Sequence, residues 1–551
     1  MDNTQKNELL EIAQQENAQV ETDELKESQT CQLKPLFELK KGDIVFAVCA
    51  LIASVFSAIF GIFGGFAFGY LLSAVFMIVI FCVYFIKDGK VRFLPIVYGL
   101  LSLANSAVFI CTTNGSVRFF AVIVSLLLSL VCFDGFINET VHGNRQTLGV
   151  FYSAASTIGN IGVSLKSLFS SGDGEKKLFA KALAGLICAI PVLIVVVPLL
   201  VSSDDAFRGM MSNIFSNSFT TILKAIFGIL LCMFVISYGF SLKNGRVLKT
   251  KKSKFTGIEN VYIVSFLSAI GICYLLYLFS QLAYFFSAFK GFLPNGDITY
   301  SQYARKGFFE MCIIAVINLG IVFLSIVLAK KQNGKVCHSI KAIATFIAIF
   351  TLIIITTAIS KMTLYIDAYG MTVLRITTSA FMLFLAIVFI AVILRIYLNK
   401  INIVKTALIA AGCVVLILGT INVNAVCAEY NYKAYKAKKL DSIDIEALYE
   451  LGDEGIPYIV KIACSKDKDN ALQAQKYLAE AYLYDYFDDM QYARNFTIDD
   501  LKDKQKDKGF ERFSIPKATA YEKLYKFIEN NPQFASKCHT YFEDSEQNYF
   551  W

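Results

Sequence analysis

Six ionisable side chains stand inside or beside long apolar runs of this chain, where a charge is costly and usually has a function. They are Asp204, Asp205, Arg305, Glu310, Asp367 and Arg375. Carboxylates in such a place act as general bases or metal ligands, and an arginine binds an anionic group. If the fold brings these residues together, they form a polar cluster that opens on one side of a membrane.

The segment 302–310, QYARKGFFE, carries two of these residues and a lysine. Lys306 and Glu310 are four residues apart, so on a helix they share one face and are able to pair. The spacing therefore favours a helix that begins near this segment with its charges at the outer boundary of the apolar run.

The segment 364–375, LYIDAYGMTVLR, carries two more of the six residues, Asp367 and Arg375. Gly370 is predicted to break the segment, and Thr372 is predicted to cap the next helix. Arg375 then lies one turn inside that helix, where it needs a carboxylate, a water or a phosphate. The carboxylates available to it are Asp367, Glu310, Asp204 and Asp205.

A structural role explains the same residues equally well. Tyrosines near the charges are typical of the aromatic belt of a membrane protein, and lysine or arginine near helix ends extends toward the head groups. Asn318 and Gln281 either extend a polar pocket or form hydrogen bonds between helices. Both interpretations stay open at this point.

Motifs for cofactors and metals are absent from the sequence, so we expect neither. His142, His338 and His539 have no second ligand at metal-binding spacing, and no two cysteines stand in a C-x-x-C arrangement. Nine of the fourteen cysteines lie in apolar runs, where cysteine behaves as a small hydrophobic residue. Cys464 and Cys538 are left as a possible pair.

Residues 44–426 must position any site, and they indicate about eleven membrane-spanning helices, since a span needs about 20 apolar residues. We place the spans at 44–60, 66–86, 93–111, 118–136, 182–201, 219–240, 260–280, 308–329, 342–359, 373–394 and 406–426. Glycines at 61–69 predict a hairpin between the first two. A count of ten or twelve spans is not excluded. The segment 147–169 is predicted to be an interfacial helix rather than a re-entrant one.

The loops between these spans are basic on one side only. With the N-terminus inside, the inner loops carry 21 lysines and arginines and the outer side carries eight. By the positive-inside rule this predicts a membrane protein with its N-terminus inside and its C-terminus outside. The basic inner face favours anionic lipids as partners and argues against nucleic acid.

Two polar regions flank the membrane core. Residues 1–43 are acidic and are predicted to be a disordered cytoplasmic tail. Residues 427–551 show apolar residues at helical spacing and predict a small all-α domain outside the membrane. We expect a protein partner to dock on this domain. The predicted fold is thus an all-α polytopic bundle with a C-terminal helical domain.

Four stretches resemble a bacterial membrane family called domain of unknown function 4173, which is close to domain of unknown function 4153. They are SSDDAF at 202–207, QYARKGFFE at 302–310, LYIDAYGMTVLR at 364–375 and NVNAVCAEYN at 422–431. Near residue 424 the family pattern reads more like Asn-Pro-Asp, whereas this chain has Asn422-Val423-Asn424. The resemblance covers roughly residues 90–460 and implies a multi-pass membrane protein without an established substrate, cofactor or catalytic residue. It also implies a bacterial source, so the expected location is the bacterial cytoplasmic (plasma) membrane.

Three functions fit these features. A non-enzymatic envelope sensor or scaffold that acts through the C-terminal domain is favoured. A transporter or flippase for a small or lipid-linked substrate is the first alternative, but the chain shows no internal repeat. A membrane-embedded transferase acting on a lipid-linked substrate is the second, with Asp204 and Asp205 as base or metal ligands.

Overall fold

The computed structural model describes most of the apolar core and part of each flanking region. The described residues are 37, 39–86, 93–137, 144–170, 196, 202–203, 218–244, 257–290, 308–331, 336–398, 401–440, 442–479 and 510–534. The fifth predicted span at 182–201, nearly all of the acidic tail and Cys538 lie outside these residues, apart from the single helical position 196.

Within these ranges the chain is helical, and β-structure is limited to one isolated bridge between Ile258 and Ala329. The first six helices are α1 (Lys41–Phe56), which continues as a π-helical turn (Ser57–Ile62), α2 (Phe68–Ile86), α3 (Phe93–Cys111), α4 (Gly115–Ile137), α5 (Asn144–Ser170) and α6 (Ser218–Lys243). The next five are α7 (Asn260–Lys290), α8 (Phe308–Leu328), α9 (His338–Tyr369), α10 (Val373–Tyr397) and α11 (Ile403–Ile421).

Ten of these described helices are long and apolar enough to cross a membrane, and they correspond to ten of the eleven predicted spans. Of the described helices α1 to α11, α5 is the one that does not meet these criteria. Its residues Thr157, Asn160 and Ser164 face α6 and form hydrogen bonds with Ser237 and Ser241. The prediction of an all-α polytopic membrane bundle is therefore confirmed. The hairpin between α1 and α2 is confirmed as well, with a turn at 63–67.

The bundle has two ends, which we name by what they carry. At the domain end, Phe68, Thr113 and Met371 contact the C-terminal helices. At the basic end, the start of α1 meets the end of α6, and the start of α7 is bridged to the end of α8. The lysines and arginines of the basic end whose side chains the structure describes include Lys40, Lys41, Lys166, Lys243, Lys330, Lys331, Lys341, Arg395 and Lys405.

The spanning helices form two groups with separate cores. The first group contains α1–α4, α6 and α11, and its core is rich in phenylalanine and tyrosine. The second group contains α7–α10, whose core is built from Ile, Met and Phe. The groups meet where α10 packs against α11.

The C-terminal helices stand on the domain end. They are α12 (Val423–Lys436), α13 (Ile445–Tyr449), a 3₁₀ turn (Gly452–Glu454), α14 (Ile456–Ala463), α15 (Lys468–Tyr477), a second 3₁₀ turn (Phe510–Arg512) and α16 (Ile515–Asn530). Their apolar faces share one core with the first helix group. The last span ends at Ile421, because Asn422 adopts a left-handed conformation with φ of 58°, whereas the sequence predicted a span to residue 426.

Close packing between α1 and α6 depends on Gly228. A Cβ atom at this position would lie 2.6 Å from the Cα atom of Val55, which is backbone and unable to move aside. We expect Gly228→Ala to lower the free energy of unfolding by about 2 kcal/mol, since overpacking forces the two helices apart. Denaturation in mixed micelles followed by circular dichroism measures this effect. Gly320→Ala is the matched control, because a Cβ there meets no atom within 4 Å; an equal loss in both variants would contradict the prediction.

Candidate functional site

The structure places three of the six predicted site residues. Asp204, Asp205 and Arg305 lie outside the described residues. Glu310 lies in the first turn of α8, Asp367 in the last turn of α9 and Arg375 in the first turn of α10. All three are therefore at the domain end, near the C-terminal helices.

Arg375 binds the end of α9 rather than a carboxylate. Its Nη1 donates to the carbonyl oxygen of Tyr369 at 3.2 Å and to that of Gly370. Its guanidinium also lies 4.1 Å from the centre of the Tyr365 ring. The last carbonyls of a helix carry partial negative charge, so this position stabilises the cation.

The predicted break between α9 and α10 is confirmed. The helix ends at Gly370, whose φ is 79°. Thr372 is the residue that precedes α10, as predicted, but its side chain forms no capping hydrogen bond.

The two acids near Arg375 point elsewhere. Asp367 is exposed and accepts a hydrogen bond of 3.4 Å from the hydroxyl of Tyr430 in α12. Burial, with a smaller effect of this carboxylate, raises the pKa of the Tyr430 hydroxyl. Glu310 is exposed. In the part of the chain that the structure describes, neither acid forms an ion pair with Arg375. The three described residues of the predicted cluster, Glu310, Asp367 and Arg375, are therefore at the same end of the bundle but are not paired.

Two of the stretches that carry the family resemblance touch at this place. Asn431 forms two hydrogen bonds with the backbone of Met371, accepting from its N–H at 2.7 Å and donating to its carbonyl at 2.8 Å. The segment 364–375 is thereby attached to the segment 422–431. The sequence indicated both segments but not their contact, because no periodicity connects them.

An open groove lies beside Arg375, between the domain ends of α8, α9 and α10. Its volume is about 250 Å³. The lining residues are Phe308, Phe309, Met362, Tyr365, Thr372, Leu374, Arg375 and Thr378. The described walls are mainly apolar and aromatic, and Arg375 is the single charged residue among the described lining residues.

A second polar site, which sequence reasoning missed, joins the C-terminal helices to the bundle. Glu454 is 4% exposed and lies over the loop between α3 and α4. Its carboxylate accepts hydrogen bonds from the backbone N–H of Thr113 at 2.8 Å, from the Thr112 hydroxyl at 3.3 Å and from the Thr113 hydroxyl. A buried carboxylate is stable only with such a set of donors.

Three asparagines complete this site, which we call the junction (Thr112, Thr113, Asn114, Asn422, Asn424 and Glu454). Asn422 donates to the carbonyl of Cys111 at 2.9 Å and accepts from the Thr112 hydroxyl at 3.2 Å. Asn424 accepts from the side-chain amide of Asn114 at 2.7 Å and donates to the carbonyl of Leu451 at 2.9 Å. Two of these asparagines, Asn422 and Asn424, belong to the stretch 422–431 that carries the family resemblance, but the sequence predicted both to lie inside the last span.

Arg118 supports the junction from below in the way that Arg375 supports the end of α9. Its Nε donates to the carbonyl of Thr112 at 2.7 Å, and its Nη2 donates to the carbonyl of Phe109 at 2.9 Å. Arg118 and Arg375, the two described arginines of the spanning helices at the domain end, therefore bind the carbonyls at the end of a spanning helix. This use of arginine satisfies carbonyls that a helix leaves without partners.

Asn318, the predicted extension of the pocket, has a structural role. It is fully buried, accepts from the Tyr274 hydroxyl at 2.6 Å and donates to the Thr351 hydroxyl at 2.9 Å. These bonds join α7, α8 and α9 inside the membrane. The side chain of Gln281 lies outside the described part of the chain.

The junction requires an amide at position 424. We expect Asn424→Asp to lower the free energy of unfolding by about 3 kcal/mol, because a carboxylate loses the donor to Leu451 and places a buried charge against that carbonyl. Asn424→Ala removes both bonds without adding charge, so about 1–2 kcal/mol is expected. Unfolding of the purified protein at neutral and acidic pH tests this. The defect of Asn424→Asp should shrink at acidic pH, where the acid regains a proton to donate; a defect independent of pH contradicts the account.

The groove offers hydrogen-bond donors for an anion. The junction attaches the C-terminal helices rigidly to the bundle. In the described residues, no group of three His, Cys, Asp or Glu side chains converges as metal ligands do. The arrangement thus supports binding and positioning.

Comparison with known proteins adds the family and nothing on chemistry. No curated protein and no solved structure matches the chain. One family model, the domain of unknown function DUF4153, matches residues 43–462. It is the group close to domain of unknown function 4173, which the four sequence stretches resemble. The match extends past the last span through the junction and into α14. The protein is therefore an integral membrane protein that belongs to the DUF4153 family.

Proposed function

We propose that this protein is a non-enzymatic scaffold or sensor of a bacterial plasma membrane, which presents its C-terminal helices to a protein partner outside the cell. The observation that supports this function is the junction. A domain on a loose linker needs no buried carboxylate, whereas Glu454 is held by three donors from the bundle. The bundle thus fixes the position of the domain, as a scaffold requires.

The distribution of charge supports the proposed orientation. The basic end, with its helix termini and loops, contains most of the described lysines and arginines of the membrane region. At the domain end, Arg118 and Arg375 bind helix carbonyls. The positive-inside rule assigns the basic end to the cytoplasm. The C-terminal helices then face outward.

The proposed count of eleven spans has support from the described helices on both sides of the gap. α4 ends at the basic end, and the contacts of α5 with Ser237, Ser241 and Phe37 are at that end too. α6 begins at the domain end, where Phe227 contacts Phe63. An additional crossing between α5 and α6 agrees with the predicted span at 182–201.

Two native cysteines test the orientation. Cys464 is exposed on the C-terminal helices, and Cys337 precedes α9 at the basic end. We expect a membrane-impermeant maleimide to modify Cys464 in intact cells and Cys337 only after the cells are permeabilised, with mass spectrometry identifying the modified peptides. The reverse pattern would overturn the proposed orientation.

The same two thiols should differ in their pH dependence in permeabilised cells. Backbone N–H groups at the start of α9, that of Ser339 first, lower the pKa of the Cys337 thiol, whereas burial raises the pKa of Cys464. Maleimide reacts with the thiolate, so the labelling rate rises as pH passes the pKa. We expect the rate at Cys337 to reach its plateau at a lower pH than the rate at Cys464. Coincident pH profiles would contradict the assigned surroundings of the two thiols.

Transport or transfer of a lipid-linked substrate is the second candidate function, and the groove beside Arg375 favours it. Complementation of a deletion strain separates the two candidates. A scaffold predicts that Glu454→Ala fails to complement while Arg375→Ala complements, at equal protein levels in the membrane. A lipid-handling protein predicts the reverse. Glu450→Ala, an exposed acid near Glu454, is the control for both.

A further inference from the structure

We propose that the groove between α8, α9 and α10 binds one anionic phospholipid, with the lipid phosphate on Arg375 and the upper part of an acyl chain along the aromatic wall. This inference goes beyond the scaffold function and does not depend on it, because it concerns the second helix group and is measured on purified protein.

The position of the groove fits a lipid better than a soluble ligand. Arg375 is in the first turn of a spanning helix, so it lies at the boundary between hydrocarbon and head groups. Next to it, Leu374 and Phe309 are 62% and 52% exposed on the outer surface of the bundle, which faces hydrocarbon. A ligand in the groove is therefore in contact with the bilayer along its side.

The size and walls of the groove set the part of the lipid that is held. A volume of about 250 Å³ is just below the usual range of ligand sites, which is about 300–1,000 Å³. It accommodates a phosphate and the first part of one chain, with the rest of the lipid in the bilayer. Phe308, Met362 and Tyr365 provide an apolar surface for that chain.

The guanidinium of Arg375 has an edge available for the phosphate. Its Nη1 is used by the carbonyls of Tyr369 and Gly370, which fixes the side chain over the Tyr365 ring. Within the described residues, Nε and Nη2 have no hydrogen-bond partner and no carboxylate pairs with the cation. These two nitrogens form the edge that binds two oxygens of a phosphate at once.

Charge complementarity therefore selects the occupant. A zwitterionic lipid presents a choline or amine cation beside its phosphate, and no described acid lines the groove to receive it. The Thr372 hydroxyl, which does not cap α10, is a further neutral donor in the lining. An anionic head group such as that of phosphatidylglycerol fits this set of groups.

Native mass spectrometry of the purified full chain tests the proposal. The probes are phosphatidylglycerol, phosphatidylcholine and inorganic phosphate, each added at increasing concentration. We expect one phosphatidylglycerol to bind at least about tenfold more tightly than phosphatidylcholine. Both lipids offer the same phosphate to Arg375, but phosphatidylcholine adds a choline cation, which the guanidinium repels. Inorganic phosphate should neither bind nor compete, because it lacks a chain for the apolar wall.

Three variants locate the site. Arg375→Ala should reduce the preference for phosphatidylglycerol by about tenfold. Thr378→Trp should reduce binding as well by filling the groove, and it leaves the contacts of Arg375 with α9 in place. Arg395→Ala is the matched control, because Arg395 is on the same helix at the basic end and is partly buried like Arg375.

The binding data support or overturn the lipid site as follows. Loss of the preference in Arg375→Ala and Thr378→Trp, but not in Arg395→Ala, supports the proposal. Equal binding of both lipids by the native chain, or unchanged preference in Thr378→Trp with a native melting temperature, overturns it. Binding of inorganic phosphate at the same affinity would replace the lipid with a soluble anion.

Discussion

Replacement of Glu454 by alanine should release the C-terminal helices from the bundle while the spanning helices stay folded. The substitution leaves the N–H and the hydroxyl of Thr113 without their acceptor, whereas the Thr112 hydroxyl keeps Asn422 as its acceptor. Each buried donor without a partner costs about 1–3 kcal/mol, so we expect a loss of about 3 kcal/mol at this contact. That corresponds to about a hundredfold higher population of the open state.

Limited proteolysis of the protein in native membranes measures this opening. Cleavage between α12 and α13 should become much faster in Glu454→Ala, because local opening exposes the backbone to the protease. Glu450→Ala is the control, since Glu450 is exposed on the same helices. Unchanged cleavage in Glu454→Ala would show that apolar contacts alone hold the domain.

The second large effect is expected at the basic end, for Asp43→Ala. Asp43 is 5% exposed and accepts from the Tyr84 hydroxyl at 2.8 Å, from Nζ of Lys243 at 3.0 Å and from the N–H of Lys40 at 2.7 Å. Lys243 also lies over the Tyr84 ring at 4.3 Å. Removal of one partner of a largely buried ion pair leaves a charge without compensation, so a loss of about 3 kcal/mol is expected.

A double-mutant cycle with Lys243→Ala isolates the pair, with unfolding in mixed micelles as the measurement. The double variant should be less damaged than the sum of the single variants, because it leaves no unpaired charge. The exposed pair Lys526–Glu522 is the control, where a coupling of at most about 0.5 kcal/mol is expected. An equally small coupling at Asp43 would contradict its structural role.

The membrane spans were predictable because the length of each apolar run decides them. In a bilayer each apolar run of sufficient length must satisfy its own backbone, and a helix does so. Gly370 and the hairpin at 63–67 were predictable for a similar reason, since local conformation determines both. Asp43 shows the limit of such reasoning: it was assigned to the acidic tail, but it belongs to the first turn of α1, where Lys243 compensates it.

The junction was not predictable, because its partners are distant in the chain. Thr113 and Glu454 are separated by 341 positions, and neither stands in a recognisable motif. Arg375 shows a different difficulty. The sequence correctly indicated that a cation at this depth needs a partner, but it considered carboxylates, water and phosphate. Backbone carbonyls at the end of α9 have no sequence signature of their own.

Asn422 gives the last spanning helix a mechanical consequence. A single left-handed residue separates α11 from α12, so α12 is a lever arm mounted on α11. With 14 residues, this arm is about 21 Å long, and a 5° tilt of α11 displaces its far end by about 2 Å. Because α11 also contacts α10, we expect a small rearrangement in the second helix group to displace the C-terminal helices as well.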